Sequence, residues 1–533
     1  MHDRLSNLIL SAALRDPLAI ALRRDGESLT YGDLAQAVEA FARGLVAGGL
    51  RRTERVAVYL DKRFETVVAS FGAAHAGGVF VPVNPVLKGR QVQHILTDCS
   101  VRVLVTSAAR LEALADVLPG CPDLRTVVLV DDAPVPQAGL PGKEILPWRD
   151  VVSAGAGPGA PPTHRGVDTD MAAILYTSGS TGLPKGVVLS HRNMLAGAHS
   201  VASYIGNTAE DRILSLLPLS FDAGFSQLTT AFASGARVVL LNYLLPGDAV
   251  KAVAAEGITG ITGIPPLWVQ LAQCRWPDDA AAGLRYVANT GGRMPRTVLD
   301  RLRGLLPYTQ CYLMYGLTEA FRSTYLPPSE VDRRPDSIGK AVPNAEILVV
   351  RADGTPCGPG EPGELVHRGA FVALGYWNDP ERTAARFKPA PGLPSGLPHP
   401  EIAVWSGDTV TMDEEGYLYF VGREDEMIKT SGYRTSPTEI EEVLYGTGLV
   451  GEVVALGVPH PELGQAVVVV ATGLGGAPLD ADALLAAARA ELPAYMMPRR
   501  VVVMDALPRN ANGKPDRKGL ALTHADTFRK EEA

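Results

Sequence analysis

The chain has 533 residues, 46% hydrophobic and 20% charged, with a formal net charge of −8 at pH 7. One core rarely grows that large, so two or more domains are expected, and the composition is that of an ordinary soluble globular protein. No long basic run is present, so a nucleic-acid groove or an anionic membrane surface is not expected; an anionic substrate must be met by locally placed Lys, Arg and backbone N–H groups.

The opening stretch "MHDRLSNLILSAALRDPLAIALRRDG" is broken by charges before a signal-peptide core could form. No uninterrupted apolar run reaches the roughly 20 residues that span a bilayer. A cytoplasmic protein without membrane insertion is expected. Next, "LTYGDLAQAVEAFARGLVAGGL" carries apolar residues at three-and-four spacing and ends in glycine, a helix with its stop signal. "RVAVYL", "VFVPVN" and "VRVLVTS" read as strands, with "FETVVASFGAAHAGG" a helix between the first two. Such alternation over residues 1–150 argues for α/β layers. "SAGAGPGAPPTHRG" reads as a Gly/Pro-rich surface loop. Cys99, Cys121, Cys274, Cys311 and Cys357 are scattered with no C-x-x-C pair, so reduced packing residues are expected rather than a zinc site or disulfides.

"ILYTSGSTGLPKGVVLSHRNM" follows, Ile174 to Met194. Two extended apolar runs flank a loop in which Thr177, Ser178, Ser180 and Thr181 offer hydroxyls, Gly179 and Gly182 free the backbone, and Lys185 adds a charge. Glycines allow close approach to a ligand, and the donor set suits a polyphosphate. A P-loop is excluded, because Gly182 and Lys185 are not adjacent and no Ser or Thr follows the lysine. A plain surface loop is the alternative.

Strand–helix alternation resumes through "DRILSLLPLSF", "GARVVLLNYLL", "LRYVANTGG" and "QCYLMYGLTEA". From about 340 to 425 the pattern becomes short strands and turns, a small β-rich unit containing the exposed stretch "FKPAPGLPSGLPHPEIA". Beyond it lie about 110 residues with their own strands and helices, enough for a separate domain. The expected architecture is α/β: an N-terminal domain over 1–422, made of two layered α/β subdomains plus the β-rich unit, and a small α+β C-terminal domain over 423–533.

"YTSGSTGLPKGV" resembles the phosphate-loop signature of the adenylate-forming superfamily, which includes acyl-CoA synthetases, nonribosomal peptide adenylation domains and luciferases. The later motifs occur in that family's order: "YGLTEA" (315–320), "GELVHRG" (363–369), "WSGD" (405–408), "GREDEMIKTSGYRTSPTEIE" (422–441) and "PRNANGKPDR" (508–517). A narrower likeness, from "LPLSFDAGFSQLTTAF" and "MYGLTEAFRSTYLPP", is to acyl-CoA ligases associated with exosortase systems.

The resemblance implies ATP and Mg²⁺ as cofactors and two half-reactions, acyl-adenylate formation and acyl transfer to a thiol of CoA or of a phosphopantetheine carrier. Lys514 matches the lysine that bridges the carboxylate and the α-phosphate. Thr318 would donate to that phosphate, and Glu319 would hold the metal. Asp408 matches the carboxylate on the ribose hydroxyls, and Arg423 an arginine on ribose and phosphate. Gly291, Gly292 and Arg293 of "NTGGRMP" would line the adenine, with Tyr315 stacked on it. A mobile C-terminal lid is implied, with Asp425 at the hinge, and Lys429 and Gly432 on the strand that would form the thiol channel.

The acid itself is read from "LPLSFDAGFSQ". Amino-acid-activating relatives carry Phe-Asp here, the aspartate pairing with the substrate ammonium, and Phe221–Asp222 fits that pattern. An unpaired aspartate in a shielded pocket is costly. An amino acid or amino-acid-like acid is therefore expected, with Leu317, Gly291, Phe225, Ser226, Pro265 and Thr290 completing the pocket. Asp222 as a helix cap is the alternative. No carrier segment is recognisable, so the acceptor is expected to be CoA or a separate carrier protein. The rival functions are an AMP-forming fatty or aryl acyl-CoA ligase and a catalytically silent nucleotide-binding relative.

Overall fold

In a computed structural model, described for residues 4–131, 140–177, 184–392, 396, 398–423, 426–430, 433–460, 463–489, 491–492, 494–510 and 513–528, three β-sheets organise the chain. The first has a parallel run through Arg212–Ser215, Gly260–Gly263, Tyr286–Asn289 and Gln310–Tyr315, with Ile261 opposite Val287 and Ala288 opposite Tyr312. These strands are buried on both faces, as continuous apolar runs require. Tyr286 and Ala288 enter one core while Val287 enters another, and Tyr312 and Met314 divide from Cys311 and Leu313 in the same way. Loops leaving the C-terminal ends of the last two strands contain Gly291–Gly292 and Gly316–Glu319, the edge where open α/β sheets bind ligands.

The second sheet holds Arg55–Tyr59, Val79–Pro82, Val101–Thr106 and Thr126–Leu129 in parallel. The hairpin Met171–Thr177/Lys185–Ser190 joins it, its register setting Thr177 opposite Lys185. Between the two sheets, Phe80 stacks on Phe225 with ring centroids 4.8 Å apart, and Phe71 meets Phe225 at 5.5 Å and Phe232 at 5.4 Å. The β-rich unit expected from about 340 is an antiparallel extension of the first sheet, through Ala345–Val350, Gly363–Gly369, Ile402–Met412 and Leu418–Arg423.

Sheet membership then changes. Leu418–Arg423 ends in the first sheet and Ile428–Thr430 opens a five-stranded sheet of C-terminal residues, backed by helices Pro437–Gly446 and Ala481–Ala488. The five cysteines are unbridged, and among the described residues no helix is long and apolar enough to cross a membrane.

The N-terminal hairpin crosses over: Ile20–Arg24 pairs in parallel with Arg237–Leu240 and so extends the first sheet. One expectation is corrected. The stretch from Ser153 is not all loop, because helix Trp148–Ala156 runs into it. Its glycine serves packing. A Cβ on Gly155 would lie 1.8 Å from the Ala40 carbonyl oxygen, and one on Gly44 would lie 2.0 Å from that of Val151. The two helices touch backbone to backbone. Gly155→Ala is expected to cost about 1–3 kcal/mol of stability, as overpacking does, seen as a lower urea midpoint with an unchanged slope.

Candidate active site

Lys185, Glu319 and Tyr376 form one cluster. Lys185 Nζ lies 2.9 Å from Glu319 Oε1 and donates to the Tyr376 hydroxyl at 2.8 Å, and that hydroxyl donates to the same carboxylate oxygen at 2.6 Å. The ammonium also lies 4.1 Å from the centre of the Tyr376 ring. Burial pushes the Glu319 carboxyl up, but the Lys185 charge and the two donors outweigh it and hold it below its ordinary range. It is therefore ionised at neutral pH. Since its folded value is depressed, the wild type is expected to gain stability over Glu319→Gln as pH rises from that value to the ordinary carboxylate range. Above that range the difference should stay constant. Urea unfolding of both proteins across the acid range checks this.

Tyr315 and Asp408 come together across the sheet. The Tyr315 hydroxyl donates to Asp408 Oδ2 at 2.5 Å, and Asp408 is 2% exposed. The Ser406–Asp408 turn makes this possible. Glu364 pairs with Thr409 but Val366 with Trp405, so the longer strand bulges, with Gly407 at φ +70°. A bulge re-aims one side chain, here Asp408. Ser406 Oγ donates to the Leu365 carbonyl at 2.7 Å and accepts from the Asp408 amide at 3.1 Å. Arg423 stands opposite Asp408 in the strand register.

The C-terminal unit delivers Lys514 to this edge. Its turn is closed by the Asn510 amide donating to the Lys514 carbonyl at 2.8 Å and by the Gly513 amide donating to the Asn510 carbonyl at 2.9 Å, with Gly513 at φ +74°. Arg509 donates to the Gly513 carbonyl at 2.9 Å and to the Glu452 carboxylate, tying the turn to its own sheet. Gly291, at φ +75°, faces it: a Cβ placed there would lie 3.6 Å from Lys514 Nζ. Glycine meets both the backbone angle and the close approach.

Beside these groups Asp222 begins helix Asp222–Ser234 and is fully engaged. Arg322 Nη1 donates to its Oδ2 at 3.1 Å, and Thr318 Oγ1 lies 3.5 Å from its Oδ1. Arg322 is 1% exposed, and its Nη2 donates to Ser226 Oγ at 3.1 Å. A strained turn aims it. Phe321 has φ +53° and ψ −60°, and the Arg322 amide donates to the Ala320 carbonyl at 2.6 Å, a positive-φ γ-turn.

Residues 10–377 match the family described as "AMP-binding enzyme", and residues 439–514 match "AMP-binding enzyme C-terminal domain". The chain belongs to the AMP-binding enzyme family. The feruloyl-CoA synthase of an Amycolatopsis species is 32% identical over 94% of this chain and 95% of its own length. Tyrocidine synthase 3 of Brevibacillus parabrevis is 31% identical over 95% of this chain, which spans only 7% of that larger protein. Among solved structures, the o-succinylbenzoate CoA synthetase MenE of Bacillus subtilis, in complex with ATP and magnesium ion, superposes with a TM-score of 0.79 at 25% identity, covering 96% of this chain and 99% of its own.

Within this AMP-binding enzyme, the structure gives each expected site residue its surroundings. Asp222 does not offer an uncompensated charge, because Arg322 already neutralises it. Arg293 is engaged by carboxylates. Its Nη2 donates to Asp336 at 2.7 Å and its Nε lies 3.8 Å from Glu442 Oε2, while the Arg296 amide donates to Glu442 Oε1 at 2.9 Å. It thus bridges toward the C-terminal helix Pro437–Gly446. Tyr315 holds Asp408 through its hydroxyl. Phe221 is the residue preceding the Asp222 helix, and Leu317 is partly buried against the main core. Lys429 lies on the Ile428–Thr430 strand, opposite Arg434. Ser178, Gly179, Ser180, Thr181, Gly182, Asp425 and Gly432 lie outside the described residues.

The donor chemistry fits nucleotide and metal. Thr177 Oγ1 is buried with no partner among the described residues, beside Lys185 in register. Mg²⁺ commonly takes one or two carboxylates plus phosphate oxygens rather than an all-protein cage. Glu319 offers one carboxylate, and no group of three or more His, Cys, Asp or Glu side chains suited to a metal occurs among the described residues. Arg322 and Tyr376 were missed by sequence reasoning. Arg322 carries a signal, a cation inside the mostly uncharged run "AFRSTYL". Tyr376 reaches the site only because Gly375–Tyr376 pairs with the Lys185–Ser190 strand.

Proposed function

We propose that the protein ligates a carboxylic acid to the thiol of CoA at the expense of ATP, forming an acyl-adenylate with release of pyrophosphate and then a thioester with release of AMP. The observation that carries this reading is Lys514, brought by the C-terminal unit to the close-approach glycine Gly291 at the strand ends. In the first half-reaction a carboxylate oxygen attacks the α-phosphorus and the bond to pyrophosphate breaks. Negative charge grows on the α-phosphoryl oxygens, and a cation held there beforehand stabilises that state more than the ground state. Lys514 fills that role, and its ammonium also screens the repulsion between two anions. Mg²⁺ on Glu319 would neutralise phosphate charge as pyrophosphate leaves. Lys185 and Tyr376 orient that carboxylate, and Thr177 and Lys185 receive phosphate oxygens. Asp408, held by Tyr315, accepts the ribose hydroxyls.

In the second half-reaction the thiol attacks the acyl carbonyl and AMP leaves. Lys514 and an incoming thiol compete for the same space, so residues 423–533 act as a lid that turns between steps, with Arg293 and Glu442 at the seam. The acyl-CoA ligase relatives support CoA as acceptor. The paired state of Asp222 speaks against an amino-acid ammonium as its partner. Acid-dependent pyrophosphate release, measured first without a thiol and then with CoA or with a phosphopantetheinylated carrier protein, tests the reading. Release without any acid requirement, or no release with any acid, overturns it. Thioester formation on the carrier alone moves the acceptor from CoA to a protein.

A further inference from the structure

Helix Gly89–Asp98 contributes no group to the site described above, yet its C-terminal end holds the segments that carry that site. The Asp98 carboxylate accepts the Tyr176 hydroxyl at 2.5 Å, and the Asp98 carbonyl accepts Trp377 Nε1 at 2.9 Å and Asn378 Nδ2 at 2.8 Å. One turn earlier, His94 Nε2 donates to the Pro184 carbonyl at 3.2 Å, its ring meeting that of Tyr176 edge to face. The Trp377 amide in turn donates to the Gly186 carbonyl at 2.8 Å. Each residue held this way is the chain neighbour of a site residue: Tyr176 of Thr177, Pro184 and Gly186 of Lys185, Trp377 of Tyr376.

The frame is close-fitting and anchored. A Cβ on Gly186 would lie 2.6 Å from Ile174 Cγ2, 3.2 Å from Tyr176 Cζ and 3.4 Å from Trp377 Cβ, so glycine lets these side chains close over the strand. Arg55 fixes the helix end, donating to the Cys99 and Ser100 carbonyls and lying 5.2 Å from the centre of the Trp377 ring. Helix stability does not explain Asp98. A carboxylate in the last turn meets the negative end of the helix dipole, and this helix has no basic residue there to offset it. Its compensation is the Tyr176 hydroxyl, a charge-assisted bond to the strand that carries Thr177.

We propose that Asp98 is a positioning residue for the β- and γ-phosphates of the nucleotide: through Tyr176 on one strand and Trp377 on another, it sets the spacing of Thr177, Lys185 and Tyr376. The inference rests on the ATP-dependent reading above and deepens it. Donors for a polyphosphate act best when held in place beforehand, and a displacement of about 1 Å costs on the order of 100-fold. AMP has no β- or γ-phosphate and is held on the Asp408 side of the site, so the frame bears on ATP far more than on AMP.

The test is calorimetric titration of the intact protein with ATP and Mg²⁺ and with AMP, read as the ratio of the two affinities. In Tyr176→Phe, which removes one hydroxyl, and in Asp98→Ala, which removes its acceptor, the preference for ATP over AMP should fall about tenfold or more. The double variant should match the weaker single variant within about threefold, because both changes remove the same bond. Asp98→Asn keeps an acceptor oxygen for the hydroxyl, and its ratio should lie closer to the wild type than to Asp98→Ala. Affinities for ATP and AMP that fall together, as general damage to the fold gives, overturn the inference, and so does an unchanged ratio in Tyr176→Phe. Both results leave the ligase reading standing. A wild type that does not bind ATP overturns the ligase reading, and this inference with it.

Discussion

Lys514→Ala is expected to slow acid-dependent pyrophosphate release by about 10²–10³-fold, the usual cost of removing one preorganised donor from a developing oxyanion. Acyl transfer from a chemically prepared acyl-adenylate to CoA should fall less than about threefold, because Lys514 acts before the lid turns. The asymmetry is the informative part. A general loss of folding would depress both steps, whereas the Lys514 turn is held by backbone bonds from Asn510 and Gly513 that alanine leaves in place. Gly291, 3.6 Å from the ammonium when given a Cβ, marks where that charge is received. Undiminished pyrophosphate release from the variant would remove the central step of the mechanism.

The second large effect is on stability. Asp222→Ala should cost about 3 kcal/mol, because it leaves the Arg322 guanidinium buried without its counter-charge. The Asp222 side chain is 17% exposed against 2% for Arg322, so the arginine bears most of the desolvation. The double variant Asp222→Ala/Arg322→Met should recover much of the loss, since neither charge then stays buried and unpaired. Urea melts of the wild type, both single variants and the double variant complete the cycle. The ammonium-binding view makes the opposite forecast: without substrate its aspartate would be an unpaired liability, and its removal would be neutral or stabilising. A single variant as stable as the wild type would favour that view and dissolve the Asp222–Arg322 pair as a structural element.

Local features were legible wherever their chemistry is local. The helix beginning at Tyr31 is announced by Thr30 and Asp33, whose side chains each accept from the other's backbone amide. Thr177 and Lys185 sit in one hairpin, readable from spacing because the contact spans a few residues, and Lys514 was marked by the motif it shares with the family. The glycines near Gly155 misled for the same reason. Glycine in a sequence signals a turn unless a partner helix needs close approach, and that partner, at Ala40 and Gly44, lies more than a hundred residues away.

Strand–helix alternation, two sheet regions and a separate C-terminal unit were thus written in the sequence, together with the cation, carboxylate and hydroxyl inventory of the site. Tertiary structure alone decided which charges neutralise one another. Asp222 meets Arg322 across 100 residues, Glu319 meets Lys185 across 134, and Arg293 pairs with Asp336 at 2.7 Å and lies 3.8 Å from Glu442. The physical reason is that hydrogen-bond periodicity and turn propensity act over a few residues, whereas the free energy of a buried charge depends on whichever groups the finished packing places within a few ångströms of it.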